Sequence, residues 1–204
     1  MTKREQILEV AEELIAENGF SGTSVRALAA KAGINVAMIS YYFGSKEKLF
    51  EALVEYRAGF LRGKFQTLNK EVEDPMERIN QMIDAYVDRI FSHHRFHRIL
   101  HRQMLSTKTT VNSENIIGIL LRNSEEVKKV LREGEHKKIF RKVDVEFTIA
   151  MLIGTLSQIA VSCMLSSRII GVNPQTESIY DESYKERTKM FLKNLMRNHL
   201  TGNL

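Results

Sequence analysis

Three observations predict an all-α fold of about nine helices for this chain of 204 residues. Apolar residues recur at spacings of three and four, as in Ile7, Leu8, Ala11, Leu14 and Ile15, and no stretch alternates in the strand pattern. Only two prolines occur, Pro75 and Pro174, so little interrupts the helices. Residues that cap helices, among them Thr2, Asn35, Ser45 and Asp74, stand in front of apolar runs. Hydrophobic residues make up 43% of the chain, enough for a core, and the length admits two parts, expected as residues 1–50 and 51–204.

The elements follow in order. Thr2 and Glu5 form a capping box for a first helix over residues 3–18, which Gly19 ends. Thr23 is the expected cap of a second helix, in which Val25, Leu28, Ala29 and Ala32 share one face. Gly33 ends that helix, because a residue without Cβ takes the left-handed conformation at no steric cost. Asn35 caps a third helix beginning at Val36, with Ile34, Ile39 and Phe43 pinning it to the second. A fourth helix runs from after Ser45 to residue 69 or so, and a rise of about 1.5 Å per residue lets it join two regions. Asp74, Pro75 and Glu77 signal the start of a fifth, with Ile79, Met82, Ile83, Tyr86, Val87 and Ile90 inward. A sixth is expected over 93–105, a loop over 106–113, a seventh to 133, a basic connector over 134–142, an eighth over 144–169 and a ninth over 181–199.

The second and third helices, joined at Gly33, have the layout of a helix-turn-helix. Val36, Ala37, Ser40 and Tyr41 are left outward on the third helix, with Tyr42 just beyond. Small side chains let a helix lie deep in a major groove, and Val or Ala can touch a thymine methyl. Tyr41, Tyr42 and Lys46 suit phosphate oxygens. The net charge of +5 is compatible with a polyanion partner.

Residues 2–50 resemble the N-terminal domain of the tetracycline-repressor (TetR) family of bacterial transcription regulators. The resemblance is carried by Ile7 to Ala11, Asn18-Gly19-Phe20, Thr23 to Arg26, Leu28-Ala29, Ala32-Gly33 and the run from Ile39 to Leu49. It covers about a quarter of the chain; the remainder fits by length and helical pattern. It implies a helix-turn-helix DNA-binding domain at 1–50 and a helical effector-binding and dimerisation domain at 51–204. The DNA-contacting set would be Thr23, Ser24, Arg26, Val36, Ala37, Ser40, Tyr41, Tyr42 and Lys46. Ser24 and Arg26 would touch the backbone or a groove edge, Val36, Ala37 and Ser40 would read bases, and Tyr41, Tyr42 and Lys46 would hold phosphates. Many members carry histidine at the position of Tyr42 and tyrosine at that of Ser40, so the division of labour among Ser40, Tyr41 and Tyr42 stays open.

The same resemblance implies a homodimer through the eighth and ninth helices, which pair with their symmetry mates as a four-helix bundle. Small residues Gly154, Ala160 and Ser162, and Tyr184, Met190, Phe191 and Leu195 on the last helix, suit such a contact. It also implies an effector pocket whose occupation releases a palindromic operator. The candidate lining is Phe60, Met82, Tyr86, Phe91, His97, Met104, Ile117, Leu121, Met151, Thr155 and Gln158. This set is apolar with few charges, which favours a hydrophobic or aromatic effector.

Four of the six histidines, His93, His94, His97 and His101, fall in one stretch. The four-residue spacings of His93 with His97 and of His97 with His101 leave a metal- or pH-responsive alternative open. A DNA-binding factor without an effector is the other alternative. The chain lacks paired Glu-x-x-His motifs, a nucleophile elbow and a Gly-rich phosphate loop, which argues against an enzyme, and no cofactor or resident metal is expected. The basic runs over 57–70 and 89–108 read as solvated helix faces. The single cysteine, Cys163, excludes an internal disulfide and reads as a core residue. Gly154, Thr155, Ser157, Gln158 and Ser162 interrupt the most apolar stretch, which therefore reads as a buried helix rather than a membrane span. The chain opens on a helix cap rather than a signal peptide, and a cytoplasmic protein is expected.

Overall fold

The structure is a computed structural model that describes residues 1–105, 113–173 and 176–202. Residues 106–112 of the loop expected over 106–113, the break at Pro174 and the burial expected for the Cys163 side chain lie outside the described residues. All regular elements described are helices: α1 (Lys3–Gly22), α2 (Val25–Lys31), α3 (Val36–Phe43), α4 (Lys46–Glu71), α5 (Pro75–Ser92), α6 (His94–Leu105), α7 (Ser113–His136), α8 (Val145–Val161), α9 (Cys163–Ile170) and α10 (Glu182–Thr201).

The chain forms two compact units. The first holds Met1–Gly59 and Arg95–Leu120, the second Phe60–His94 and Leu121–Leu204. The division therefore differs from the expected one at residue 50. Leu53, Val54 and Ala58 of α4 are buried in the same cluster as Ile7, Leu8 and Ile15 of α1, and Phe96, Ile99 and Leu100 of α6 join it.

In the first unit the capping box closes as expected: Glu5 N–H donates to Thr2 Oγ1 at 3.2 Å and Thr2 N–H to Glu5 Oε2 at 2.7 Å. Gly19 has φ 74°, ψ 164°, so the helix kinks there and one more turn carries Phe20 into the core. Arg57 of α4 is buried and donates from Nε to Glu12 at 2.6 Å, with Glu9 as a second partner. This ties α1 to α4 through a paired charge that burial alone would penalise.

In the second unit Asp74 caps α5, accepting from Met76 and Glu77 N–H groups. Ile79, Met82, Ile83, Val87 and Ile90 are buried with Leu192, Met196 and Leu200 of α10. Ion pairs Asp84–Lys193 (2.6 Å) and Asp88–Lys189 (2.7 Å) flank that contact. The single expected helix over 144–169 is two helices, α8 and α9, bent by 107°. At the break Ser162 leaves the helical conformation, and Ser166 Oγ donates to the Gln158 carbonyl. No single helix among the described residues is long and apolar enough to cross a membrane.

Candidate DNA-reading surface

The α2–α3 pair is held by local hydrogen bonds that the sequence specifies. Gly33, at φ 63°, follows the end of α2; its N–H donates to Ala30 O and the Ile34 N–H to Ala29 O, the paired bonds of a Schellman ending. Asn35 Oδ1 accepts the Ala37 N–H at 2.9 Å and starts α3. Ile39 and Phe43 are buried against Leu28 and Ala29. With about 100° of rotation per residue, Val36, Ala37, Ser40 and Tyr41 fall on one stripe roughly 140° wide. All four are exposed, Tyr41 at 83% and Val36 at 39%. Tyr42 is half-buried, its ring 5.3 Å from that of Tyr41 and 6.2 Å from that of Phe43. Ser24 and Arg26 on α2 are exposed as well.

Two residues of the expected set are placed otherwise. Thr23 is 2% exposed and does not cap α2. Its hydroxyl is shared between the Gly19 carbonyl at 2.8 Å and the Leu14 carbonyl at 3.2 Å, beside the kink at Gly19. Ser24 is the cap instead, accepting the Ala27 N–H at 3.1 Å. Thr23 is therefore a strut behind the surface. Lys46 is also committed inward: Nζ donates to Phe20 O at 3.0 Å and Thr23 O at 3.1 Å, and lies 4.4 Å from the centroid of the Phe20 ring. It fastens the last turn of α1 to the start of α4, and only one of its three N–H donors is left for a phosphate.

Arg4 was not anticipated. Its guanidinium lies over the Phe43 ring at 5.2 Å, which places a fixed charge beside the end of α3. The pairing joins residues 39 positions apart, so only the fold reveals it; the sequence signal was a cation in the first turn of α1.

The segment 7–53 matches the family model described as bacterial regulatory proteins, tetR family. Over 202 residues, 97% of this chain and 95% of the other, it is 26% identical to the "Probable HTH-type transcriptional regulator YttP" of Bacillus subtilis (strain 168). The N-terminal segment of this chain is a TetR-family domain. The chain is a DNA-binding transcriptional regulator and not an enzyme. The HTH-type transcriptional repressor NicS of Pseudomonas putida is 27% identical over 151 residues, 74% of this chain and 71% of that one. Among solved structures, the transcriptional regulator FadR from Bacillus subtilis in complex with stearoyl-CoA superposes with a TM-score of 0.75 at 19% identity, covering 98% of this chain and 99% of the other. Regulators of the TetR family bind DNA operators and act as dimers with small-molecule effectors.

The residues expected to line one pocket are divided between the two units. His97, Met104 and Ile117 belong to the first, and Phe60, Met82, Tyr86, Phe91, Leu121, Met151, Thr155 and Gln158 to the second. Phe60 (68%) and Leu121 (53%) are exposed, as is Gln158, and Arg89 lies 5.0 Å over the Phe60 ring. Met82 and Phe91 are buried in the second core, with Tyr86 and Met151 packed against it. Burial pushes the Tyr86 phenol up to about 12, so it stays a neutral donor. Thr155 donates its hydroxyl to Met151 O.

In the histidine stretch, His93 and His97 do not share a helix. His93 leaves the helix as the C-cap of α5 (φ −126°, ψ 37°), which removes the helical spacing to His97. His94 stacks on Tyr180 at 3.9 Å, with Nδ1 3.2 Å from Phe91 O. Burial lowers the pKa of His101, favouring its neutral form. No group of three or more His, Cys, Asp or Glu among the described residues could hold a metal ion.

Proposed function

We propose that the chain is a repressor that binds a palindromic operator as a homodimer, with Val36, Ala37 and Ser40 facing base edges and Tyr41, Tyr42 and Arg4 facing phosphates. The observation that carries this is the exposed stripe of small side chains on α3, backed by buried Ile39 and Phe43. A helix so presented fits a major groove, and hydroxyls at its end reach the sugar–phosphate backbone. Ser24 and Arg26 flank it on α2.

The dimer is made through the second unit, by the outer faces of α8 and α10. Phe147, Ile153 and Val161 on α8 and Met190 and Phe191 on α10 are exposed apolar side chains, more than an isolated surface helix ordinarily carries. The effector is a small hydrophobic or aromatic molecule received among Met82, Tyr86, Phe91, Met151 and Thr155 of the second unit. The FadR neighbour, whose structure holds stearoyl-CoA, supports a ligand of that character. Binding there draws the population away from the DNA-competent dimer. The protein works where its operator is, in the cytoplasm.

The test is selection of bound sites from random duplex DNA at near-physiological salt, by the parent and by the Tyr41→Ala, Tyr42→Ala double variant. A palindrome enriched by the parent and lost with the double variant supports the reading. A folded parent that enriches nothing refutes it. The recovered operator then serves to screen apolar ligands for release.

A further inference from the structure

We infer that each operator half-site is read chiefly through thymine methyl groups, with Arg26 making the one guanine contact that the α2–α3 pair can supply. This rests on α3 being the groove helix, as argued above, and it states which base chemistry that helix recognises.

The inference comes from what the reading surface lacks. Bases are told apart in the major groove by planar donors on guanine (Arg, Lys), by Asn or Gln on adenine, by carboxylates on the cytosine amino group and by apolar contact with the thymine methyl. The exposed stripe of α3 holds Val36, Ala37, Ser40 and Tyr41. None of these offers two convergent hydrogen bonds from one planar group. Residues 19–46 contain no Asp and no Glu, so no carboxylate is available for cytosine. The nearby side chains that could read purines are otherwise engaged. Asn35 is tied to the start of α3 by its Oδ1 accepting the Ala37 N–H, so its amide is not free to turn for a two-bond adenine contact. Lys31 is paired with Glu13 at 3.1 Å and Glu17 at 3.8 Å, and Lys46 is bonded to two backbone carbonyls. Arg26 remains: exposed on α2, with neither an ion pair nor a hydrogen bond among the described residues. Its guanidinium matches guanine O6 and N7. Val36 and Ala37 present methyl groups, and Ser40, with one hydroxyl, has little power to discriminate.

The experiment takes the selected operator and replaces its half-site thymines one at a time with deoxyuridine, which deletes the methyl and nothing else. In parallel, sites are selected with Arg26→Ala. The expected half-site contains A·T pairs with thymines facing α3 and one fixed guanine. Each critical methyl deletion weakens binding by about fourfold, the worth of one buried methyl-sized group. Arg26→Ala should relax the guanine position alone, where the parent discriminates by about 5- to 150-fold. Because deoxyuridine changes only the DNA, a misfolded variant cannot mimic that result. Neutral deoxyuridine substitutions, or a half-site with two or more fixed guanines under α3, would overturn the inference while leaving α3 as the reader. Failure of the folded parent to select any site would instead remove the DNA-reading proposal on which it stands.

Discussion

At the scale of single residues, the first unit depends on a buried charge. Arg57 sits between Glu12 and Glu9 with only 6% of its side chain exposed. Removing one partner leaves the other charge buried and unpaired, which costs about 3–5 kcal/mol. Arg57→Met should therefore lower the urea midpoint sharply, and adding Glu12→Gln should restore part of the loss. Equal loss in the single and double variants would mean that packing, not charge, makes Arg57 necessary. A second residue gives a pH dependence. The hydrogen bond from Arg78, reinforced by Lys137, holds the Glu133 carboxyl down at about 2 from an ordinary 4.5. A depressed carboxylate contributes stability that is present above the unfolded value and disappears as the group protonates in the native state. The advantage of the parent over Glu133→Gln should thus be level above pH 4.5 and shrink as pH falls through about 2. Urea midpoints measured across that range test it, and an advantage independent of pH would contradict it.

At the scale of elements, helix starts were legible because their signals are local. Thr2 with Glu5, Asn35, Ser45 and Asp74 all accept the backbone N–H groups expected of them, and Gly33 ends α2 as its chemistry requires. What escaped reading depends on contacts distant in sequence. Thr23 looks like a cap until its hydroxyl bonds back to the Gly19 and Leu14 carbonyls of α1. Lys46 looks like a phosphate ligand until the end of α1 arrives beneath it. The recruitment of α6 into the first unit is written only in which core Phe96 and Leu100 join. Lys46 makes the difference measurable. Lys46→Ala should cost about 1.5–3 kcal/mol of stability, the worth of charge-assisted bonds to carbonyls. The salt dependence of DNA binding by the folded variant should stay unchanged; a slope reduced by about one would restore the phosphate role. The end of α7 gives another case. A Cβ on Gly134 would lie 2.1 Å from the buried Phe140 ring. Gly134→Ala should therefore destabilise by about 1–3 kcal/mol in thermal unfolding despite its better helix propensity.

At the scale of the whole molecule, affinity and assembly are one question. A single α2–α3 pair grips a few base pairs, and A·T-directed methyl contacts are individually weak, so tight binding needs two readers on one duplex. Linking two such modules raises overall affinity by about 10²–10⁴ without any new contact to DNA. The apolar outer faces of α8 and α10 are where we place that gain, and a charge introduced there would have to be desolvated to form the dimer. Phe191, 59% exposed in the single chain, is the sharpest probe. Phe191→Glu should leave the fold intact, since the side chain has no place in either core, and sedimentation should find a monomer. Its affinity for the full palindrome should drop by two to four orders of magnitude, within the avidity range of about 10²–10⁴. Its affinity for an isolated half-site should match that of the parent. A variant that stays dimeric would move the interface away from α10, and a monomer that keeps full operator affinity would show that α3 reads its site without a partner.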